Sequence, residues 1–316
     1  MKMIQRLIIG LSLLWLPPWI QAAPEDVSRT IAVIYPDIGE PYKRVFNSII
    51  EGIEDGARGH VSAFAVSANM SYADLPAELK RRDIKTVIAL GRQGLKVAGG
   101  LDRSLNLTAA GVLSVPESEG QAFPIHSLAP DPGLLFGRLK SLMPAAKRVT
   151  IIYDPKQNSW LVRLARDAAK VYGLELLAKE ATDLKSALRL YQETLGSTDP
   201  KQDVLWLPQD STTVDESAVL PLVLQEAWSQ GLLVFSSNVT HVKRGVLFAL
   251  YPDNLELGRS LGAWAAALAS SPAPASGRGV VPLREVLMAV NTRTAMHLGI
   301  NLANSPHRFA MVFPEP

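Results

Sequence analysis

The residues best able to do chemistry are small polar side chains that directly follow short apolar runs. Asp210, Ser211 and Thr212 come just after the run 204–207, and Ser236, Ser237 and Asn238 complete the run 232–235. The Asp210 carboxylate could hold an ammonium group, with Thr212, Ser237 and Asn238 hydrogen-bonding beside it. Gly91, Arg92 and Gln93 follow the run 86–90, and Arg92 could grip a carboxylate with two parallel bonds. Glu40 and Tyr42 lie in a Gly-Glu-Pro-Tyr turn after 31–35, and Asn158 lies in 154–160 after 149–153. Gly39 and Gly91 allow close backbone approach, helix starts after Gly91 and Pro208 could aim free N–H groups at an anion, and Tyr42, Trp160 and Trp206 could form flat apolar walls. These residue types suit capture of a small polar solute.

Each also has a plainer reading. Thr213 and Glu216 have capping-box spacing, Asp154-Pro155 reads as a turn, and Arg92 could be a surface ion-pair partner. Trp206 lies in an apolar run, and Trp228 and Trp264 fall on helical patterns, so all three are expected in the core.

Catalysis finds little support. No Gly-x-Ser-x-Gly segment is present, and the five histidines show no pair with metal-ligand spacing. His241 lies near the expected site, but as a lone histidine it reads as a helix-start residue. With no cysteine, disulfides, thiolate metal sites and a thiol nucleophile are excluded. We therefore expect no catalytic residue, no metal and no cofactor.

The elements that must position the polar loops follow from periodicity. Continuous apolar runs at 31–35, 61–66, 86–90 and 109–113 read as strands, with a short one at 123–126. Val45, Phe46, Ile49, Ile50 and Ile53 have helical spacing between the first two. The second half repeats the alternation, with strands at 149–153, 174–178, 204–207, 232–235 and 246–250 and helices at 184–195 and 215–230. Such alternation implies parallel sheets built from right-handed crossovers. We expect an α/β chain of two Rossmann-like lobes joined by a multi-strand hinge. The lobes are placed at 29–128 plus 251–272 and at 129–250 plus 281–316. Ligands bind beyond the carboxyl ends of parallel strands, so the loops at 36–42, 91–94, 114–117, 154–160, 208–213 and 236–240 should line one cleft.

Residues 1–22 read as a cleavable export segment: Lys2 and Arg6, the apolar run 7–16, Pro17-Pro18, and Ala22 at the cut. The run is too short to span a bilayer. Without Lys2 and Arg6, the 32 basic residues fall to the number of acidic ones, 30, so no nucleic-acid footprint is expected. Lys80, Arg81 and Arg82 read as a solvated helix face.

A family resemblance rests on several segments in order. They are Leu207-Pro208-Gln209-Asp210-Ser211-Thr212, Val234-Phe235-Ser236-Ser237-Asn238, Val242-Lys243-Arg244-Gly245-Val246, Glu256-Leu257-Gly258-Arg259 and Asn291-Thr292-Arg293-Thr294-Ala295, then Leu298-Gly299-Ile300. Together they resemble the substrate-binding proteins of ABC importers related to the tryptophan/tyrosine-binding group, with a type I periplasmic-binding-protein fold. The resemblance covers about 134–300. It implies solute capture in the periplasm, lobe closure and hand-over to an inner-membrane permease, with Asp210, Thr212, Ser237 and Asn238 facing the solute. The chain lacks the lipid-attachment cysteine of many relatives, so a lipid anchor is not expected. A sensor presenting its solute to a membrane receptor kinase or cyclase would use the same physics.

Overall fold

The computed structural model describes residues 31–58, 61–67, 72, 74–113, 115–270 and 278–315. The expected export segment, Ser114 and His60 lie outside these residues.

The apolar runs form two sheets. The first contains β1 (Ile31–Pro36), β2 (Val61–Val66), β3 (Thr86–Leu90), β4 (Asn106–Val112), β5 (Pro124–Pro130) and β11 (Gly279–Leu283), in the order β11-β5-β4-β3-β1-β2. All its pairings are parallel. The second contains β6 (Arg148–Tyr153), β7 (Glu175–Glu180), β8 (Asp203–Leu207), β9 (Leu233–Ser236), β10 (Phe248–Pro252), β12 (Val286–Asn291) and β13 (Met311–Phe313). Its order is β13-β12-β10-β9-β8-β6-β7, and only the β10–β12 pairing is antiparallel. Central strands β3 and β8 are buried at every position because helices cover both faces of each sheet, which is why they read as unbroken apolar runs. In the second lobe Trp206, Phe235 and Phe248 of the sheet and Phe136 from the helix over it form a buried aromatic row, with centroid spacings of 5.8 Å, 6.1 Å and 5.1 Å along it.

The helices are α1 (Tyr42–Ala57), α2 (Leu75–Arg81), α3 (Gly91–Ala98), α4 (Pro132–Leu142), α5 (Pro155–Val171), α6 (Leu184–Leu195), α7 (Val219–Gln230), α8 (Val239–Arg244), α9 (Asn254–Ser270) and α10 (Thr292–His297). Most begin at the carboxyl end of a strand, so the loop before each helix is a strand tip. Asp131 and Asp154 cap α4 and α5 by accepting from Gly133 N at 2.8 Å and Lys156 N at 3.0 Å, with a proline at the first helical position of each.

The chain passes between the sheets three times, at β5–α4, β10–α9 and β11–β12. The crossing segments hold one another: Asp131 N donates to Leu283 O at 2.8 Å, Asp253 N to Glu285 O at 2.9 Å, and Arg284 pairs with Asp131 at 3.2 Å. Residues 281–283, expected in the second lobe, instead extend the first sheet, because β11 finds an open edge on β5.

The helix that returns after β10 is locked to the first lobe by glycines. Gly52 and Gly56 on α1 meet Gly258 and Gly262 on α9 with backbones in contact. A Cβ at Gly56 would lie 2.2 Å from Arg259 O, and one at Gly258 would lie 2.1 Å from Ile49 O. Arg259 reinforces the pair from the rim through Asp55 at 3.1 Å. In an open helix Gly→Ala stabilises by about 1 kcal/mol. Here the sign should invert. We expect Gly56→Ala and Gly258→Ala each to lower the urea-unfolding free energy by about 1–3 kcal/mol through overpacking. Gly99→Ala at the end of α3, where the nearest atom would be 3.5 Å away, should be neutral or slightly stabilising. Equal effects at all three positions would contradict the interlock.

Candidate functional site

Asp210 stands at the tip of β8 and is buried. Its carboxylate is fully engaged by the protein itself. Oδ2 accepts from Asp154 N at 2.7 Å and from Asn158 Nδ2 at 2.9 Å; Oδ1 accepts from Thr212 N at 2.9 Å and Thr213 N at 3.1 Å. Thr212 Oγ1 in turn donates to Asp154 Oδ2 at 3.1 Å, and Thr213 Oγ1 to Ile152 O at 3.0 Å. Asp210 therefore ties the tip of β8 to the tip of β6 and orders the turn that follows. The burial of Asn158 follows from the same bracket. The helix start expected after Pro208 is instead this turn, its N–H groups already taken by Asp210. Thr213 and Glu216 do not form a capping box: the Thr213 hydroxyl is spent on Ile152, and Asp215 accepts from Ser217 N and Ala218 N ahead of α7.

The tip of β9 lies beside this turn. Ser237 is buried, and its hydroxyl accepts from the Trp206 indole at 3.0 Å, so both belong to the core side of the loop. Asn238 caps α8 by accepting from Thr240 N at 3.0 Å. Between the two tips is a cavity of about 310 Å³ lined by Gln209, Asp210, Ser211, Asp215, Glu216, Asn238 and His241, among others. Ser211 and Glu216 are exposed at its mouth, while Gln209 and Asn238 are half-buried.

In the first lobe the expected residues sit at strand tips but are less enclosed. Gly91 starts α3 with φ +67°, and a Cβ there would also lie 2.9 Å from the Phe46 ring, so glycine is required by the turn. Arg92 pairs with Glu119 at 2.5 Å, and with Gln93 it lines a groove of about 510 Å³ between α3 and the 3₁₀ turn Glu117–Gln121. Glu40 and Arg44 pair at 3.0 Å on an exposed turn, and Tyr42 is 65% exposed. Trp160 is buried, with its indole N–H donating to Gln157 O at 3.0 Å.

The two lobes meet at these ends. Glu117, just beyond the tip of β4, forms an ion pair with Arg163 on α5, the helix that begins at the tip of β6. The strand tips of both sheets thus border one boundary, spanned by an exposed ion pair and flanked by the three-segment hinge.

Residues 137–308, more than half of the chain, match the family described as ABC transporter substrate binding protein. The chain belongs to this family. Among solved structures, the protein is similar to a ligand-free, open substrate binding protein with adhesive properties from Clostridium difficile. That match has TM-score 0.60 and 16% identity, and covers 90% of this chain and 99% of the other. It is also similar to an ABC domain in complex with L-Trp from Streptococcus pneumonia, at TM-score 0.52 and 17% identity, covering 90% and 100% of the two chains. A conserved domain protein from Vibrio cholerae gives TM-score 0.52 at 16% identity, with 90% and 99% covered. The fold of this substrate-binding protein is that of the type I periplasmic binding proteins. No curated protein is matched. Among the described residues no helix is long and apolar enough to cross a membrane, and no cluster of candidate metal ligands occurs.

The second-lobe cavity of this substrate-binding protein is floored by His241, which reads from the sequence only as a helix-start residue near the site. His241 is buried. The Ser236 hydroxyl donates to Leu207 O at 3.1 Å and accepts from Asn238 N at 3.0 Å, so its 2.8 Å contact with His241 Nδ1 is a bond donated by the ring. Nε2 is then the lone-pair side, 3.4 Å from Asn238 Nδ2 and 3.9 Å from the Glu216 carboxylate. Because the Ser236 proton is directed at a carbonyl, Ser236 and His241 do not make an activated nucleophile. Burial holds the imidazole well below its ordinary value, at about 4; Arg244 adds to this and Glu216 opposes it. Only its spacing behind three small polar residues signalled it.

The sign of the consequence is fixed. The unfolded chain takes up a proton near pH 6.5 that folded His241 refuses until about pH 4, so stability is lost as pH falls through that window. The shift corresponds to roughly 3 kcal/mol. Urea unfolding at pH 7 and pH 4.5 should show a steeper loss in the wild type than in His241→Gln, by about 2–3 kcal/mol. Equal losses would mean that the ring is not held neutral by its surroundings.

Proposed function

We propose that this protein is the periplasmic solute-binding component of an ABC-type importer, exported by a leader at 1–22 that is then removed. It captures one small amino acid-like or organic solute between its lobes and presents the closed form to an inner-membrane permease. The observation that carries this reading is the polar cavity at the tips of β8 and β9, on the same sheet edge as the tip of β6, whose helix α5 reaches Glu117 of the first lobe. Its lining combines amide, hydroxyl, carboxylate and neutral imidazole groups, which can fix a small polar molecule by several directed bonds.

The geometry divides the work among the residues. Asp210, Asn158, Thr212 and Ser237 hold the second-lobe loops in register. Gln209, Ser211 and the remaining amide hydrogen of Asn238 present hydrogen-bonding capacity to the solute, while His241 Nε2 orients the Asn238 amide. Across the boundary, Tyr42, Arg92 and Gln93 cover it from the first lobe when the hinge closes. A solute that touches both lobes has higher affinity for the closed form and shifts the population toward it.

A thermal-shift screen against amino acids, organic acids and nucleosides tests this. A true solute at about a hundred times its dissociation constant adds about 2.7 kcal/mol to stability. That should raise Tm by several degrees. Ser211→Ala should weaken the shift at least tenfold in solute concentration while leaving the ligand-free Tm unchanged. A flat response across the panel, with no small molecule retained in native mass spectra, would count against solute capture.

A further inference from the structure

The second lobe carries another groove, at its opposite pole. The solute cavity lies at the carboxyl ends of β8 and β9. Helix α7 runs back from there, so Trp228 near its end lies beside the start of β9. Gly245 precedes β10, and Asn291 ends β12, which runs antiparallel to β10. These residues bound a groove of about 510 Å³ on the lobe's far side.

The groove is lined by Lys243, Arg244 and Arg293 and by no acidic residue. All three cations are exposed, and among the described residues none forms an ion pair. Arg244 Nη1 donates to a carbonyl, Glu216 O, at 2.8 Å, which leaves its charge uncancelled. The guanidinium of Arg293 lies 5.7 Å from the centre of the Trp228 ring. Several arginines elsewhere meet carboxylates, among them Arg81 and Arg82 on Glu78, Arg148 on Asp203, and Arg259 on Asp55 and Glu256. In a chain with 32 basic and 30 acidic residues, a groove with three uncancelled cations is a local excess.

Its aromatic wall is open and held rigid. Trp228, expected in the core, is 41% exposed. One face of its indole stacks on His297 at 3.8 Å and 7°, and the His297 Nε2–H donates to Trp228 O at 2.9 Å. Met296 on the same short helix is 79% exposed. The floor needs none of the cations: Asn291 Nδ2 donates to Val242 O at 2.9 Å and Thr294 Oγ1 to Gly245 O at 2.8 Å. Exposed Trp and Arg lining one groove are residue types enriched in protein interfaces.

We propose that this groove docks an acidic segment of a partner protein. Its carboxylates would neutralise Lys243, Arg244 and Arg293, and an apolar side chain would lie against Trp228. The occupant is assigned by charge complementarity, and the groove shares no lining residue with the solute cavity, although Arg244 reaches Glu216 O at that cavity's edge.

A phage-displayed library of random twelve-residue peptides, selected on the full chain, provides the probe. The expected result is enrichment of sequences rich in Asp and Glu with one bulky apolar residue. The strongest, made synthetically and followed by fluorescence anisotropy at 150 mM salt, should lose at least tenfold in affinity with Lys243→Glu and with Arg293→Glu. Binding should be unchanged with Arg81→Glu, an exposed arginine elsewhere that pairs with Glu78. The groove variants should keep the wild-type circular dichroism spectrum and Tm, so that lost binding reports charge and not unfolding. Selected peptides without acidic bias, binding indifferent to the two groove reversals, or full competition by millimolar citrate would each overturn the proposal; the last would assign the groove to a small anion.

Discussion

The site depends on where the Asp210 carboxylate finds its donors. Four N–H groups from the tips of β6 and β8 converge on it, and each would be a buried unsatisfied donor without it. One side chain thereby sets the spacing of two strand tips, the exit angle of the turn after Pro208 and the position of Asp154 at the head of α5. The neighbouring tip is fixed the same way, with Ser236 and Ser237 bonded to Leu207 O, Trp206 and His241. The polar groups that face outward are therefore preorganised by polar groups that face inward, which limits the ordering cost of binding.

This division explains what could be read from the sequence and what could not. The alternation of buried strands with amphipathic helices is a one-dimensional signal, so the two parallel sheets and the loops at their tips followed from it. The residue types at those tips also drew attention to the segments that line the β8–β9 cavity. What the sequence does not carry is direction. Asp210 and Asn158 point at each other, Ser237 points at Trp206, and Arg92 is met by Glu119 from a turn 27 residues away. These pairings depend on loop geometry. His241 was discounted because a lone histidine has no spacing partner; its environment comes from residues on three different segments.

The hinge and the helix interlock were legible only in part. A return of the chain after β10 was foreseeable from a long helix following the second set of strands. That four small residues seat it against α1 was not, since Gly52, Gly56, Gly258 and Gly262 sit in two segments about two hundred residues apart. The consequence is mechanical. With α9 rigidly part of the first lobe, the three crossings at β5–α4, β10–α9 and β11–β12 are the segments free to bend. Under the proposed function, opening and closing of the lobes would then act at the boundary marked by Glu117 and Arg163.

The central claim is that a solute is held between the strand tips of both sheets. A crystal structure of the protein with the solute it retains on purification, or with the strongest compound from the screen, addresses this most directly. The account predicts density at the mouth of the β8–β9 cavity, bonded to Ser211 or Asn238 and covered by Tyr42 or Arg92 from the other lobe. Density lodged only in the groove beside Trp228, or touching a single lobe with the boundary still open, would contradict it.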